Sequence, residues 1–468
     1  MPPIMPRAKS PIQRATILLL VICFMGQLAW TIENMYFNTF LYNSVYAGAS
    51  QAAVDGSISV MSAISKMVAL SAATAVITTF IMGTLSDKMK KRKLFISVGY
   101  IAWGIVTAAF GFISKENIAA ILGSSADEIK ILSTAVWAVI IMDCIMTFMG
   151  STSNDSVFNA WVTDVTNPSN RPKVETVFAA LPVVAMVVVM GVGSLAQAGT
   201  ISYQVFFLSL GAFVMLCGVL GLFTLQDPEF KAEEKETNSS YWSDLFYGFR
   251  PSVIKENAGL YLTLVASCLY AIAVQVFFPY LLIYIQYVVI PQSEGINLMT
   301  ASSIIPMAIA VVFLVVGIVL LLKLANKSKS KAYIIGTVCF IVGLTGLGFA
   351  KGLVQTVVAI APALIGYAVL MIQLAASVRD FTPKGKSGLF QGIRMIFNVL
   401  LPMVIGPKLG EIASVNSNTT YLDEYGVAQI CPTSDMFIYA AVVSVLVLIP
   451  LVVLIKKGYL KNNAEVNA

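Results

Sequence analysis

The sequence predicts an all-α membrane protein, with about twelve transmembrane helices in two pseudo-symmetric six-helix bundles. Three observations carry this expectation. Of 468 residues, 58% are hydrophobic and only 12% charged, whereas soluble domains carry about 25% charged residues. The apolar runs are continuous and about 20 residues long, enough for a helix to cross about 30 Å of hydrocarbon. Barrel strands would instead show alternating runs of about 10 residues. Finally, positions in the first half recur in the second.

Apolar runs, each ended by a turn or charge cluster, predict spans over 15–41, 59–85, 94–113, 131–160, 175–196 and 202–225. The second series covers 258–289, 299–323, 332–350, 355–379, 388–407 and 435–455. The opening run near Ala15 is too long for a cleavable signal peptide and lacks a small-residue cleavage pattern, so it is expected to remain as the first span. Basic residues gather at Arg7, Lys9 and Arg14, over Lys88 to Lys93, at Arg171 and Lys173, and at Lys327, Lys329, Lys331, Lys384, Lys386, Lys456 and Lys457. The alternate connections hold only scattered lysines, so both termini are expected in the cytoplasm, in a plasma membrane or bacterial inner membrane. The net charge of +6 is thus a topological signal, and no nucleic-acid partner is expected. Residues 226–257, with the mixed-charge run Lys231 to Glu236, separate a bundle over 1–225 from a second over 258–468 with its tail.

The repeat is legible in side chains. Trp30, Ile32, Phe37, Phe40 and Leu41 match Tyr270, Ile272, Phe277, Tyr280 and Leu281 at a constant offset. The basic run ending at Lys93-Leu94-Phe95-Ile96 is echoed by Lys331-Ala332-Tyr333-Ile334, and Asp164-Val165-Thr166 by Asp380-Phe381-Thr382. Parallel repeats of this kind place a transporter's solute site near the midplane, between the halves.

The first span is apolar enough to cross yet carries Gln27, Thr31, Glu33, Asn34 and Asn38. A carboxylate at mid-membrane costs about 2.5–3.5 kcal/mol on insertion scales, so such a group faces protein or water. Gln27, Thr31, Asn34 and Asn38 fall at i, i+4, i+7 and i+11, one helical face. Glu33 lies about 100° or more from that stripe and looks toward a neighbouring helix or the shoulder of a cavity. The fourth span has its own polar face in Asp143, Thr147, Gly150, Asn154 and Trp161, with Asp155 near its cytoplasmic end. Carboxylates and amides beside aromatics suit a sugar, which offers hydroxyls at its ring edge and C–H groups on its face. Further candidates for solute contact are Gln275 and Tyr280 on the seventh span, Gln373 on the tenth and Asn398 on the eleventh. Arg394 shares a face with Asn398, about 10 Å from the cytoplasmic side, and its depth makes Asp143 a counter-ion candidate. Lys66 and Glu33 also match in depth and are expected to form a rearrangeable pair.

Gly83-Thr84-Leu85-Ser86-Asp87-Lys88-Met89-Lys90-Lys91-Arg92-Lys93 resembles the signature cytoplasmic loop of the major facilitator superfamily. The resemblance implies that fold and alternating access, with Asp87 pairing an arginine such as Arg92 in one conformation only. Trp30-Thr31-Ile32-Glu33-Asn34-Met35-Tyr36 and Asp155 to Val165 resemble the first- and fourth-helix motifs of sucrose-type and glycoside-pentoside-hexuronide:cation symporters. Asn159 stands where sucrose-type members place an arginine, and the second span carries Lys66 and no acid where melibiose-type members bind sodium.

Chemistry other than transport finds little support: no nucleotide loop, metal spacing or nucleophile with a histidine base is present. Five of six cysteines lie within apolar runs and only Cys431 in a polar loop. With no histidine in the chain, proton coupling would have to use carboxylates, here Glu33, Asp143 or Asp155. The expectation is a monomeric, cation-coupled symporter of a sugar or glycoside, proton favoured over sodium, with no cofactor. The alternatives are an exporter or a lysolipid or drug carrier of the same fold, and a non-transporting receptor.

Overall fold

The computed structural model describes residues 11–123, 126–165, 181, 184–186, 188–189, 191–193, 195–196, 200–227, 249–293, 300–383, 387–422 and 426–460. The long helices are α1 (Pro11–Phe40), α2 (Val60–Met89), α3 (Arg92–Phe110), α4 (Glu128–Gly150), α5 (Val157–Val165), α6 (Tyr203–Thr224) and α7 (Ala258–Phe277). They are followed by α8 (Ala301–Lys327), α9 (Lys329–Phe349), α10 (Leu353–Phe381), α11 (Ser387–Met395), α12 (Leu401–Asn416) and α13 (Asp435–Lys456). The sole strands among the described residues, β1 (Thr420–Leu422) and β2 (Ala428–Ile430), pair antiparallel. Ten described helices are long and apolar enough to cross a membrane, and the fold is the expected all-α membrane architecture. The fifth expected span, 175–196, lies mostly outside the described residues, as does most of 226–257.

Helix starts follow capping chemistry. Asp127 accepts from the Lys130 amide at 2.7 Å, and Ser202 from the Val205 amide at 3.2 Å, each occupying an amide with no partner inside its helix. Four helices widen into π-helical turns: Leu41–Val45 after α1, Ser151–Ser156 between α4 and α5, Ile285–Val289 beyond α7, and Ile396–Leu400 between α11 and α12. Such insertions are rare, and they concentrate at functional positions.

Two boundaries differ from the sequence expectation. The signature motif from Gly83 is mostly helix: α2 runs to Met89, and the turn is only Lys90 and Lys91, with Lys90 at φ 53°. The eleventh span was expected to stop at Pro407 but continues to Asn416. A proline removes one intrahelical bond, and packing can compensate within a membrane. Here the Pro407 carbonyl accepts the Tyr280 hydroxyl at 2.8 Å, and Gly406 and Gly410 lie against the seventh helix.

By contacts the chain forms two compact units, Met1–Val45 with Ala73–Lys235, and Tyr46–Ala72 with Glu236–Ala468. The first half of α2 therefore groups with the second unit. In the first unit α3 and α6 cross closely at glycines: a Cβ on Gly104 would lie 2.5 Å from the Gly211 carbonyl oxygen, and one on Gly211 2.5 Å from that of Gly104. Small residues allow this approach where lipid supplies no hydrophobic drive for association. In the second unit α9 and α10 repeat the device, with Gly366 seated on Phe340 and the Gly336 carbonyl.

Candidate functional site

The polar stripe of α1 is largely satisfied by its own backbone. Thr31 donates to the Gln27 carbonyl at 2.7 Å, Asn34 to that of Trp30 at 2.7 Å, and Asn38 to that of Asn34 at 2.9 Å. Such back-bonding lets polar side chains reside in an apolar span. Gln27, Thr31 and Asn34 are half-buried, while Asn38 is buried.

Glu33 leaves the stripe, as its position on the wheel required, and turns to the fourth helix. Its Oε1 accepts a 2.8 Å hydrogen bond from the Thr147 hydroxyl. Glu33 is 7% exposed, Thr147 1% and Asp143 2%. Asp143 and Thr147 are one turn apart, so they share the buried face of α4. That face continues through Gly150 into the π-helical turn, where Ser151, Thr152, Ser153 and Asn154 are all buried. The Thr152 and Ser153 hydroxyls return to the Phe148 and Met149 carbonyls at 2.7 and 2.8 Å, and Ser151 donates to Asp155 Oδ2 at 2.9 Å. Asp155 is half-buried.

Asn154 joins three helices. Its Oδ1 lies 2.8 Å from the Tyr100 hydroxyl, which is also 2.8 Å from the Ile22 carbonyl. One phenolic proton cannot serve both acceptors. Donation to Ile22, with the Asn154 amide turned so that its NH2 meets the phenol oxygen, satisfies the whole set. Gly26 is where α1 approaches this pair: a Cβ there would lie 2.6 Å from Asn154 Cγ and 2.7 Å from the Tyr100 hydroxyl. Trp30 and Trp103 pack at 5.2 Å over Gly150. Trp161 donates to the Gln226 carbonyl at 3.1 Å and stacks on Phe158, a helix-packing arrangement.

At the end of α2, the Asp87 side chain lies outside the described residues, and so does its expected pairing with Arg92. Arg92 is buried and donates to Ser86 Oγ at 2.7 Å. The start of α3 is held by another acid, Asp227, which accepts from the Lys93 amide at 2.7 Å. In the second unit Lys329 pairs with Asp380 at 2.9 Å, and Lys66 is exposed.

Tyr280 is fully buried, with its hydroxyl 2.8 Å from the Pro407 carbonyl and 3.3 Å from that of Met61. Gln275 is half-buried beside Gly406. Gln373 is buried with neither amide atom hydrogen-bonded among the described residues. Asn398 sits in the π-helical turn between α11 and α12, half-buried, and Arg394 one turn earlier is half-buried with its Nε enclosed. Neither Lys66 nor Arg394 forms an ion pair among the described residues.

Sequence reasoning missed Tyr100, Trp103, Gly26 and Asp227. The available signal was faint: an aromatic pair at i, i+3 on the third span, which periodicity assigns to packing. No metal-ligand cluster exists among the described residues.

Taken together, these features define a polytopic α-helical membrane protein whose polar groups are buried inside helical units. Residues 19–407 match the family model of the Major Facilitator Superfamily, and the chain belongs to that family. It is a transporter and not an enzyme. Among solved structures it is similar to a point mutant of the nucleoside transporter NupG, at 14% identity and TM-score 0.61, covering 94% of this chain and 99% of that one. A bacterial homolog of the human lysosomal transporter Spinster, inward-facing and occupied, is 13% identical with TM-score 0.60, covering 95% and 97%. The xylose transporter XylE from E. coli, partially occluded and inward open, is 12% identical with TM-score 0.58, covering 94% and 99%. At these identities the likeness speaks for the fold. No curated protein matches the sequence.

Proposed function

We propose that this protein is a secondary active symporter that moves a small polar solute, a sugar or glycoside, together with a cation, by alternating access. The observation that carries the reading is the buried Glu33–Thr147 hydrogen bond, on the helix face that also bears Asp143. A second carboxylate in a desolvated site is costly unless a proton or cation neutralises it. Cation binding would thus change the site's charge and bias the equilibrium between conformations by its differential affinity. The proton is favoured over sodium because the second span offers Lys66 and no acid. The half-buried amides Gln27, Asn34, Gln275 and Asn398 supply donors and acceptors for hydroxyls. The first- and fourth-helix motifs, with their resemblance to glycoside and sucrose-type cation symporters, support the same solute class, as do a xylose and a nucleoside transporter among the structural neighbours. The distribution of lysine and arginine supports cytoplasmic termini in a cell membrane.

Uptake of labelled sugars and glycosides into proteoliposomes, under an imposed proton or sodium gradient, tests this. Gradient-dependent accumulation of at least one carbohydrate is expected. Accumulation of none under either gradient would overturn the substrate class, and accumulation driven by sodium alone would overturn the choice of ion.

A further inference from the structure

Between its last two spans the chain forms the β1–β2 hairpin, with Thr420 opposite Ile430 and Leu422 opposite Ala428. An isolated two-stranded hairpin is marginal in water, so neighbouring contacts must hold it. The Ala428 amide donates to Gln51 Oε1 at 3.1 Å, and Gln429 Nε2 lies 3.4 Å from the Tyr46 carbonyl. Gln429 is 3% exposed, an unusual burial for an amide on a surface hairpin. The Tyr421 ring packs 4.5 Å from that of Tyr287, in the π-helical turn beyond α7. The hairpin thus grips two separate elements: the connection between α1 and α2, and the end of the seventh span.

In the twelve-span order expected from the sequence the connection follows one span and the hairpin eleven, which puts both on the membrane side opposite the amino terminus. The chain enters the second unit at Tyr46 and leaves it at Ala72, within α2. The hairpin therefore fastens the connection that leads from α1 into α2. Deeper in, Tyr280 reaches the Met61 carbonyl near the start of α2.

We propose that the β1–β2 strand pair is a latch on the face opposite the amino terminus: it clasps Tyr46 and Gln51 and must release them each time that face opens. This rests on the transporter reading, since a protein that does not cycle would have no use for release. A reporter is already in place. Cys431 directly follows β2, is 3% exposed, and its amide donates to the Thr419 carbonyl at 3.1 Å. Burial raises its thiol above the ordinary range, which slows its reaction further while the clasp is shut.

The test is the rate of Cys431 modification by a polar maleimide in the full chain held in lipid nanodiscs, where both faces are accessible. The Cys431→Ser variant identifies the signal, because the other five thiols lie within helices. Gln51→Ala and Gln429→Ala each remove one clasp bond and are expected to speed modification about two- to tenfold. Gln51→Glu keeps the acceptor for the Ala428 amide and is expected to react like the parent. Tyr421→Ala attacks the other grip and is expected to act in the same direction. A parent that reacts as fast as an exposed thiol overturns the latch. So do alanine variants that leave the rate unchanged, or Gln51→Glu accelerating as much as Gln51→Ala. Because the readout needs no solute, unaltered labelling in a protein with active uptake defeats the latch alone. Accelerated labelling in a protein that moves no carbohydrate defeats the substrate reading and leaves the clasp standing.

Discussion

Gly211→Ala should both loosen the first unit and disconnect its polar centre. A Cβ at this position would lie 2.5 Å from the Gly104 carbonyl oxygen, 2.6 Å from the Ala108 nitrogen and 2.7 Å from Ala108 Cβ. The first two are backbone atoms, so no rotamer change relieves them. Restoring an ordinary contact of about 3.4 Å means parting α3 and α6 by about 0.9 Å, and inserting atoms into a packed interior costs about 1–3 kcal/mol. Tyr100 lies one turn from Gly104 on α3, and its 2.8 Å bonds to Ile22 and Asn154 would stretch toward about 3.7 Å if the shift fell along them, beyond hydrogen-bonding distance. The assay is a denaturing-detergent titration followed by tryptophan fluorescence, since Trp103 sits within this packing. Gly191→Ala is the control: its added Cβ would meet nothing within 4 Å, and alanine at a helical position gains up to about 1 kcal/mol over glycine. Gly104→Ala strains the same contact, so the double variant should lose less than the sum of the two. Gly211→Ala matching the parent, or falling no further than Gly191→Ala, would refute the close-crossing account.

Three other outcomes follow from contacts already described. Glu33→Gln and Asp143→Asn should abolish gradient-driven accumulation while leaving solute exchange across vesicles measurable; accumulation retained at parental levels in both would remove these carboxylates from coupling. Tyr280→Phe should lower stability by about 1 kcal/mol through loss of its hydroxyl's bond to the buried Pro407 carbonyl, read as a fall in the detergent midpoint, and an unchanged midpoint would show that the bond contributes nothing. Asp227→Ala removes the carboxylate at the Lys93 amide and should cost about 1 kcal/mol; hydrogen exchange at the first turn of α3 should speed up, and protection equal to the parent would mean another group caps that turn.

The order and approximate ends of the described spans were legible in the sequence because the bilayer imposes a one-dimensional rule: a helix must stay apolar for about 20 residues and satisfy its own backbone. The α1 polar stripe and the α4 face were legible for the same reason, since helical periodicity alone sorts side chains onto faces, and it correctly separated Glu33 from Asn34. Periodicity says nothing about what a face meets. That Glu33 ends at Thr147, that Tyr100 is tied to Asn154, and that Tyr280 is pinned to Pro407 depend on contacts between residues far apart in the chain. The continuation of the eleventh span past Pro407 is of the same kind, because Gly406 and Gly410 there pack against Gln275 and Tyr280, residues far away in the chain. So is the assignment of Tyr46–Ala72 to the second unit: its chemistry reads as an ordinary connection and helix start, and it takes contacts such as those of Ala428, Gln429 and Tyr280 to show where it belongs.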